Sequence, residues 1–262
     1  MLQVFAIAFA AVIVFMTLLW IYSVRVTNAS IVDSFWGAGF VLQTWVYFAL
    51  TPDGFSLRKL LICAIVTIWG LRLSIHIYRR NHGKPEDFRY QEFRRRYGPG
   101  YWWISFFQVF LLQGILMFII GTPLLLAQIS PTPNASTIFD VLGLIVWIVG
   151  FYFESVGDAQ LARFKADPNK KGKLLNTGLW AYTRHPNYFG DAAQWWGYYL
   201  IALGAGGWWT IFSPILMTLL LIKVSGVGLL EKTLAKTKPG YKEYMQTTSA
   251  FVPWLPRRRP GS

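Results

Sequence analysis

Cysteine is all but missing. The single thiol, Cys63, sits inside an apolar run, which excludes intrachain disulfides and any thiolate metal site and leaves a small buried hydrophobe. Charge is scarce as well: 14% of the 262 residues are charged, where a soluble domain carries about a quarter. Acid is the scarcer sign, with 12 Asp and Glu against 25 Lys and Arg. Three histidines, of which only His76 and His82 are close in sequence, give no zinc pair one helical turn apart, so no metal is expected. There is no Gly-x-Gly-x-x-Gly, no phosphate loop and no Gly-x-Ser-x-Gly elbow, which removes Rossmann, P-loop and serine-hydrolase chemistry. Any nucleotide must be held by helix ends and loops.

What fills the chain instead is apolar: 54% of residues are hydrophobic and 18% aromatic. Several runs reach the length needed to cross a bilayer core. The expected fold is all-α, a polytopic integral membrane protein of seven transmembrane helices at roughly 2–22, 31–50, 57–78, 102–126, 138–160, 186–204 and 208–230. The loops 79–100 and 163–185 hold most of the basic residues, together with Arg25 and a tail running from Lys232 to Arg257, Arg258 and Arg259. Arg58 and Lys59 are the cations on the opposite side. By the positive-inside rule the N-terminus lies outside and the C-terminus is cytoplasmic. The net charge of +13 then reads as orientation and contact with membrane lipid, not nucleic acid, and no protein partner is implied. A single membrane domain, 1–262, is expected, with substrate-side helices in 1–137 and a cofactor-binding region in 138–256.

Ionisable residues at membrane depth cost at least about 2.5 kcal/mol and mark candidate sites. Glu154, Asp158 and Lys165, with Arg163 beside them, share one helical face by their spacing. In "AYTRHPNYFGDAAQWWG", Pro186 suits a first helical turn, so Arg184, His185 and spare backbone N–H groups would converge where an anion is favoured. Asn187 and Asp191 follow four residues apart, with Tyr188 alongside. Arg72, His76 and Arg79 form a cationic stripe on the third span. Asp33 stands near the start of the second span, where a carboxylate also complements the helix dipole. Lys223 and Glu231 complete the set, Glu231 at the membrane interface.

Residues from about 140 to 256 carry "GDAQLARFK", "GLWAYTRHPNYFGD", "WWG", "VSG", "LEK" and "PGYKEY…FVPWLP". In this order and spacing they resemble the C-terminal domain of the steroid 5α-reductase family, its bacterial membrane-reductase branch in particular. That superfamily is shared with sterol reductases and isoprenylcysteine carboxyl methyltransferases. The resemblance implies NADPH at the cytoplasmic face and hydride transfer to the polarised carbon–carbon double bond of a lipophilic enone, such as a 3-oxo-4-ene steroid. By position, Asp158, Arg163 and Lys165 would contact the cofactor, and Arg184, His185, Asn187, Tyr188 and Asp191 would bind the nucleotide. Glu154 and Lys223 join this set on their chemistry.

In steroid reductases a Glu–Tyr pair from the N-terminal spans polarises the carbonyl. Asp33 is the shorter counterpart of the Glu. No Tyr falls at the partner position, which Trp69 occupies, with Arg72 and His76 after it. The superfamily leaves a second chemistry open, methyl transfer from S-adenosylmethionine. That cofactor has no phosphate and needs carboxylates and aromatics more than an Arg–Lys cluster. Intramembrane charges also mark transport paths, but there they would be spread through the membrane instead of gathered on one side.

Overall fold

A computed structural model describes residues 1–224 and 227–257. Ser225 and Gly226 of "VSG", and Arg258 and Arg259 of the basic tail, lie outside the described residues, as does the side chain of Lys232. Among the described residues the chain is all-helical and has no β-strand; Thr183 and Ser249 make an isolated parallel bridge. Among the described residues, four helical stretches are long and apolar enough to cross a membrane: Leu2–Arg25, Ser56–Asn81, Phe88–Ile129 and Ile138–Ala166. The expected spans 31–50 and 186–204 are also helical, but the stretch 208–230 is not one regular α-helix. It is divided among a 3-10 turn, a short α-helix, a π-helical turn and the start of another helix.

The chain falls into two compact units. The first comprises Met1–Thr137 with Ala202–Thr210, the second Ile138–Ile201 with the chain from Ile211 onward.

In the first unit, α1 (Leu2–Arg25), α2 (Ile31–Leu50) and α3 (Ser56–Asn81) are the long elements. Helices α2 and α3 touch backbone to backbone. A Cβ on Gly37 would lie 2.3 Å from the Gly70 carbonyl oxygen, so only glycine fits that crossing. A loop leads into the amphipathic α4 (Phe88–Tyr97), capped by the Asp87 carboxylate, which accepts from Arg89 N at 3.0 Å. Gly98, at φ 57°, ends α4 in a conformation that favours glycine. The chain then resumes as α5 (Tyr101–Ser105), a π-helical turn at Phe106–Leu111, α6 (Leu112–Ile120) and α7 (Thr122–Ile129). Pro123, near the start of α7, has no N–H to continue a ladder, which fits the break at Gly121.

The two sparse-side cations are spent on structure. Arg58 and Lys59 are buried. Arg58 donates to the Ala135 carbonyl at 3.4 Å, and Lys59 to those of Phe48, at 3.1 Å, and Thr51.

The second unit is built on α8 (Ile138–Ala166) and α9 (Pro186–Gly204). Glycines at 143, 150 and 157 recur every seven residues along α8 and meet α9 at Gly197, Gly190 and Pro186–Asn187 in reverse order, an antiparallel pair. Three further helices follow: α10 (Phe212–Leu219), α11 (Val227–Thr237) and α12 (Tyr241–Thr247).

Candidate active site

The glycine seam sets the polar interior of the second unit. With no side chains at Gly150, Gly157 and Gly190, the α8 and α9 backbones approach closely, and the polar side chains beside the seam are pressed together. Glu154, Asp158, Asp191 and Gln194 are all buried. Gln194 Nε2 donates to Glu154 Oε2 at 2.6 Å, and Asn187 Nδ2 donates to Asp158 Oδ1 at 3.1 Å. Gln194 Oε1 is buried without a hydrogen-bond partner among the described residues. A buried acceptor of this kind costs about 1–3 kcal/mol unless a donor is brought to it. The spacing of four that put Glu154 with Asp158 and Asn187 with Asp191 therefore marks two helix faces that do meet. Gln194, one turn beyond Asp191, extends the cluster and was missed in the sequence because an amide in "AAQWWG" carries no charge signal.

Around the His-Pro turn the arrangement differs from the expectation. Arg184 is buried, and its Nε donates to Glu231 Oε1 at 2.7 Å while Nη1 donates to the Met245 and Thr248 carbonyls, the first at 3.0 Å. The Nε and Nη1 donors of the guanidinium are thus engaged by a carboxylate and two carbonyls of its own chain. His185 Nε2 lies 3.2 Å from the same Glu231 oxygen, and the Tyr188 ring stacks on the imidazole with centroids 5.6 Å apart. Burial pushes the Glu231 carboxyl up, but the hydrogen bonds from His185 and Arg184 outweigh it and hold the group below its usual range. Glu231 was expected at the interface; it is instead the anion that ties α11 to this turn.

The C-terminal segment closes over the same turn. Arg184 N donates to Ser249 O at 2.9 Å, Thr183 Oγ1 to Phe251 O at 2.8 Å, and Trp254 N to Tyr182 O at 2.9 Å. Arg163 and Lys165 are exposed near the end of α8, and Lys223 is exposed in the π-helical turn at Leu220–Val224.

In the first unit, Trp69, at the position nearest the family's tyrosine, is fully buried with its ring 5.8 Å from that of Phe40. Arg72 and His76 lie half-buried on α3. Asp33 has a different phenol beside it. Tyr90, at the start of α4, donates its hydroxyl to Asp33 Oδ1 at 2.7 Å, while Arg89 Nη2 donates to Asp33 Oδ2 at 2.9 Å. Gln113 Nε2 lies 3.4 Å from the Tyr90 oxygen. Arg89 also donates from Nε to Asp87 Oδ1 at 2.9 Å. Burial raises the Asp87 carboxyl, but the Arg89 contacts prevail and hold it below its usual range. Tyr90 is 57 residues from Asp33 in sequence, within a run that reads only as a basic loop. Its one sequence signal is a tyrosine on the inner face of the amphipathic "DFRYQEF".

The architecture defines a helical membrane protein with a polar cluster in each unit. The chain belongs to the family described as "Protein of unknown function (DUF1295)", which matches residues 19–248 and is associated with steroid 5α-reductase-like proteins. Among curated relatives, "Uncharacterized protein C594.04c" of Schizosaccharomyces pombe is 26% identical over 268 residues, covering 90% of this chain and 76% of that protein. "Steroid 5-alpha-reductase DET2" of Arabidopsis thaliana is 37% identical over 59 residues, 22% of each protein. No solved structure matches the chain significantly.

Proposed function

We propose that the protein is an NADPH-dependent membrane reductase of the steroid 5α-reductase kind, in its bacterial branch, acting on the polarised carbon–carbon double bond of a lipophilic enone such as a 3-oxo-4-ene steroid. The observation that carries this reading is the Asp33–Tyr90 pair, a carboxyl and a phenol 2.7 Å apart. Such a pair is what enone reduction asks of a protein, because charge develops on the carbonyl oxygen as hydride adds at the far end of the conjugated system. Partial likeness to a steroid reductase points the same way.

The residues of the second unit fit the cofactor. Glu154, Asp158 and Asp191 accept hydrogen bonds, as ribose hydroxyls and a carboxamide require, and the buried Gln194 Oε1 awaits a donor. Backbone N–H groups at the start of α9 suit a phosphate, with His185, Tyr188 and Asn187 beside them and Arg163, Lys165 and Lys223 as exposed cations. When bound, NADPH supplies the hydride. In that step the Tyr90 hydroxyl would turn its one hydrogen from Asp33 to the substrate carbonyl and stabilise the enolate, whose α-carbon would then take a proton from water. Asp33 holds Tyr90 in place, and Arg72 and His76 line the α3 side of the first unit. On this reading the protein is multi-pass with seven spans, and the excess of Lys and Arg in its loops supports a cytoplasmic C-terminus.

One observation favours methyl transfer from S-adenosylmethionine as a second reading. With Arg184 committed to Glu231, the buried cluster is dominated by carboxylates, which suit an ammonium or sulfonium better than a phosphate. Thermal stabilisation of the detergent-purified protein by each cofactor separates the two. Stabilisation by NADPH, with oxidation of NADPH on adding the enone, is the expected result; stabilisation by S-adenosylmethionine alone overturns the reductase.

A further inference from the structure

The geometry points to Arg89 as a positioning residue that fixes Asp33 and, through it, aims the Tyr90 hydroxyl; the inference rests on the reductase reading for its consequence in catalysis, though not for its geometry. A carboxylate on a helix can rotate about χ1 and χ2, and a phenol bonded to one of its oxygens follows that rotation. Asp33 has each oxygen taken by a different donor, Oδ1 by Tyr90 and Oδ2 by Arg89 Nη2. With both engaged, the plane of the carboxylate is set.

Arg89 is itself held from a third direction. Its Nε donates to Asp87 Oδ1 at 2.9 Å and its Nη2 lies 3.3 Å from Asp87 Oδ2, a two-point contact that fixes the guanidinium plane. Asp87 in turn caps α4 and donates its backbone N–H to Ser30 Oγ at 3.3 Å, so the anchor reaches back to the residue preceding α2. The guanidinium carbon also sits 5.4 Å from the centre of the Tyr90 ring, covering it from one side.

Adjacent residues on a helix diverge by about 100°, so Arg89 and Tyr90 reach one carboxylate only because Arg89 folds back across the ring. A lysine keeps the charge yet lacks the planar fork that spans Asp87 and Asp33 together. Lys is therefore a partial substitute and Gln a poor one.

The test uses the full chain in lipid nanodiscs with Tyr90 replaced by 3-fluorotyrosine and read by fluorine NMR. Asp33→Asn, Arg89→Gln, Arg89→Lys and the double variant Asp33→Asn/Arg89→Gln are compared. Arg89→Gln is expected to move the resonance in the same direction as Asp33→Asn, Arg89→Lys to move it less, and the double variant to match Asp33→Asn. A resonance that Arg89→Gln leaves in place, or a double variant showing the sum of the two shifts, overturns the inference.

With NADPH and a 3-oxo-4-ene steroid, Arg89→Gln should lower kcat about 100-fold, as misplacement of a reacting group by about 1 Å does. NADPH affinity should be unchanged, and the double variant should be no slower than Asp33→Asn. The fluorine signal needs neither cofactor nor substrate. A protein that reduces no enone refutes the proposed reaction, while the resonance still decides the role of Arg89.

Discussion

Replacing Gly190 with alanine tests whether the α8–α9 seam builds the buried cluster. A Cβ at 190 would lie 2.3 Å from Glu154 N, 2.5 Å from the Gly150 carbonyl oxygen and 2.8 Å from Glu154 Cα. Ordinary contact needs about 3.5 Å, so the deficit is about 1 Å against backbone that cannot turn aside. The helices must separate, and the loss runs along the whole seam because Gly143–Gly197 and Gly157–Pro186 share the same face. Overpacking of this kind costs about 1–3 kcal/mol, or roughly 4–8 °C in the melting midpoint for a loss of about 2 kcal/mol.

The functional consequence should exceed the thermal one. Separation by about 1 Å would stretch Gln194–Glu154 and Asn187–Asp158, which stand at 2.6 and 3.1 Å, beyond hydrogen-bond reach. Scanning fluorimetry of the detergent-solubilised protein gives the midpoint, and tryptophan quenching gives NADPH affinity. Gly228→Ala serves as the control, since its nearest neighbour is the Ile222 carbonyl oxygen at an ordinary 3.6 Å. A Gly190→Ala protein with the midpoint and affinity of the parent would refute the seam as the cause of the cluster.

Two further outcomes follow from the sites. Tyr90→Phe keeps the ring and removes the hydroxyl that meets Asp33; enone turnover should fall by about 10²–10³ with NADPH affinity unchanged, and an undiminished kcat would discard Tyr90 as the electrophile. Glu231 is held below its ordinary value of 4.5, so it contributes stability that is complete above that pH and is lost as pH falls through the lower folded-state value. The midpoint of the wild type should therefore exceed that of Glu231→Gln at neutral pH and converge on it below pH 4.5. A gap that stays constant into that acid range would show that the Arg184–His185–Glu231 contact carries none of it.

Helical spacing was enough to place Glu154, Asp158, Asn187 and Asp191, because two residues four apart share a face whatever the rest of the chain does. What spacing could not supply is the partner across a gap in sequence. Glu231 is 47 residues from Arg184, and Tyr90 is 57 from Asp33. Both partners come from segments whose charge and polarity suggest an exposed interface. Arg184 shows why charge alone misleads. A cation at a helix start also has partners within its own chain, and here a carboxylate and two carbonyls engage the Nε and Nη1 donors. Trp69 makes the complementary point in the first unit. It is fully buried beside Phe40, while the phenol that meets Asp33 comes from α4. On the proposed reductase reading, the pairing of acid and phenol draws on another helix, with Arg89 as the third residue that holds the acid still.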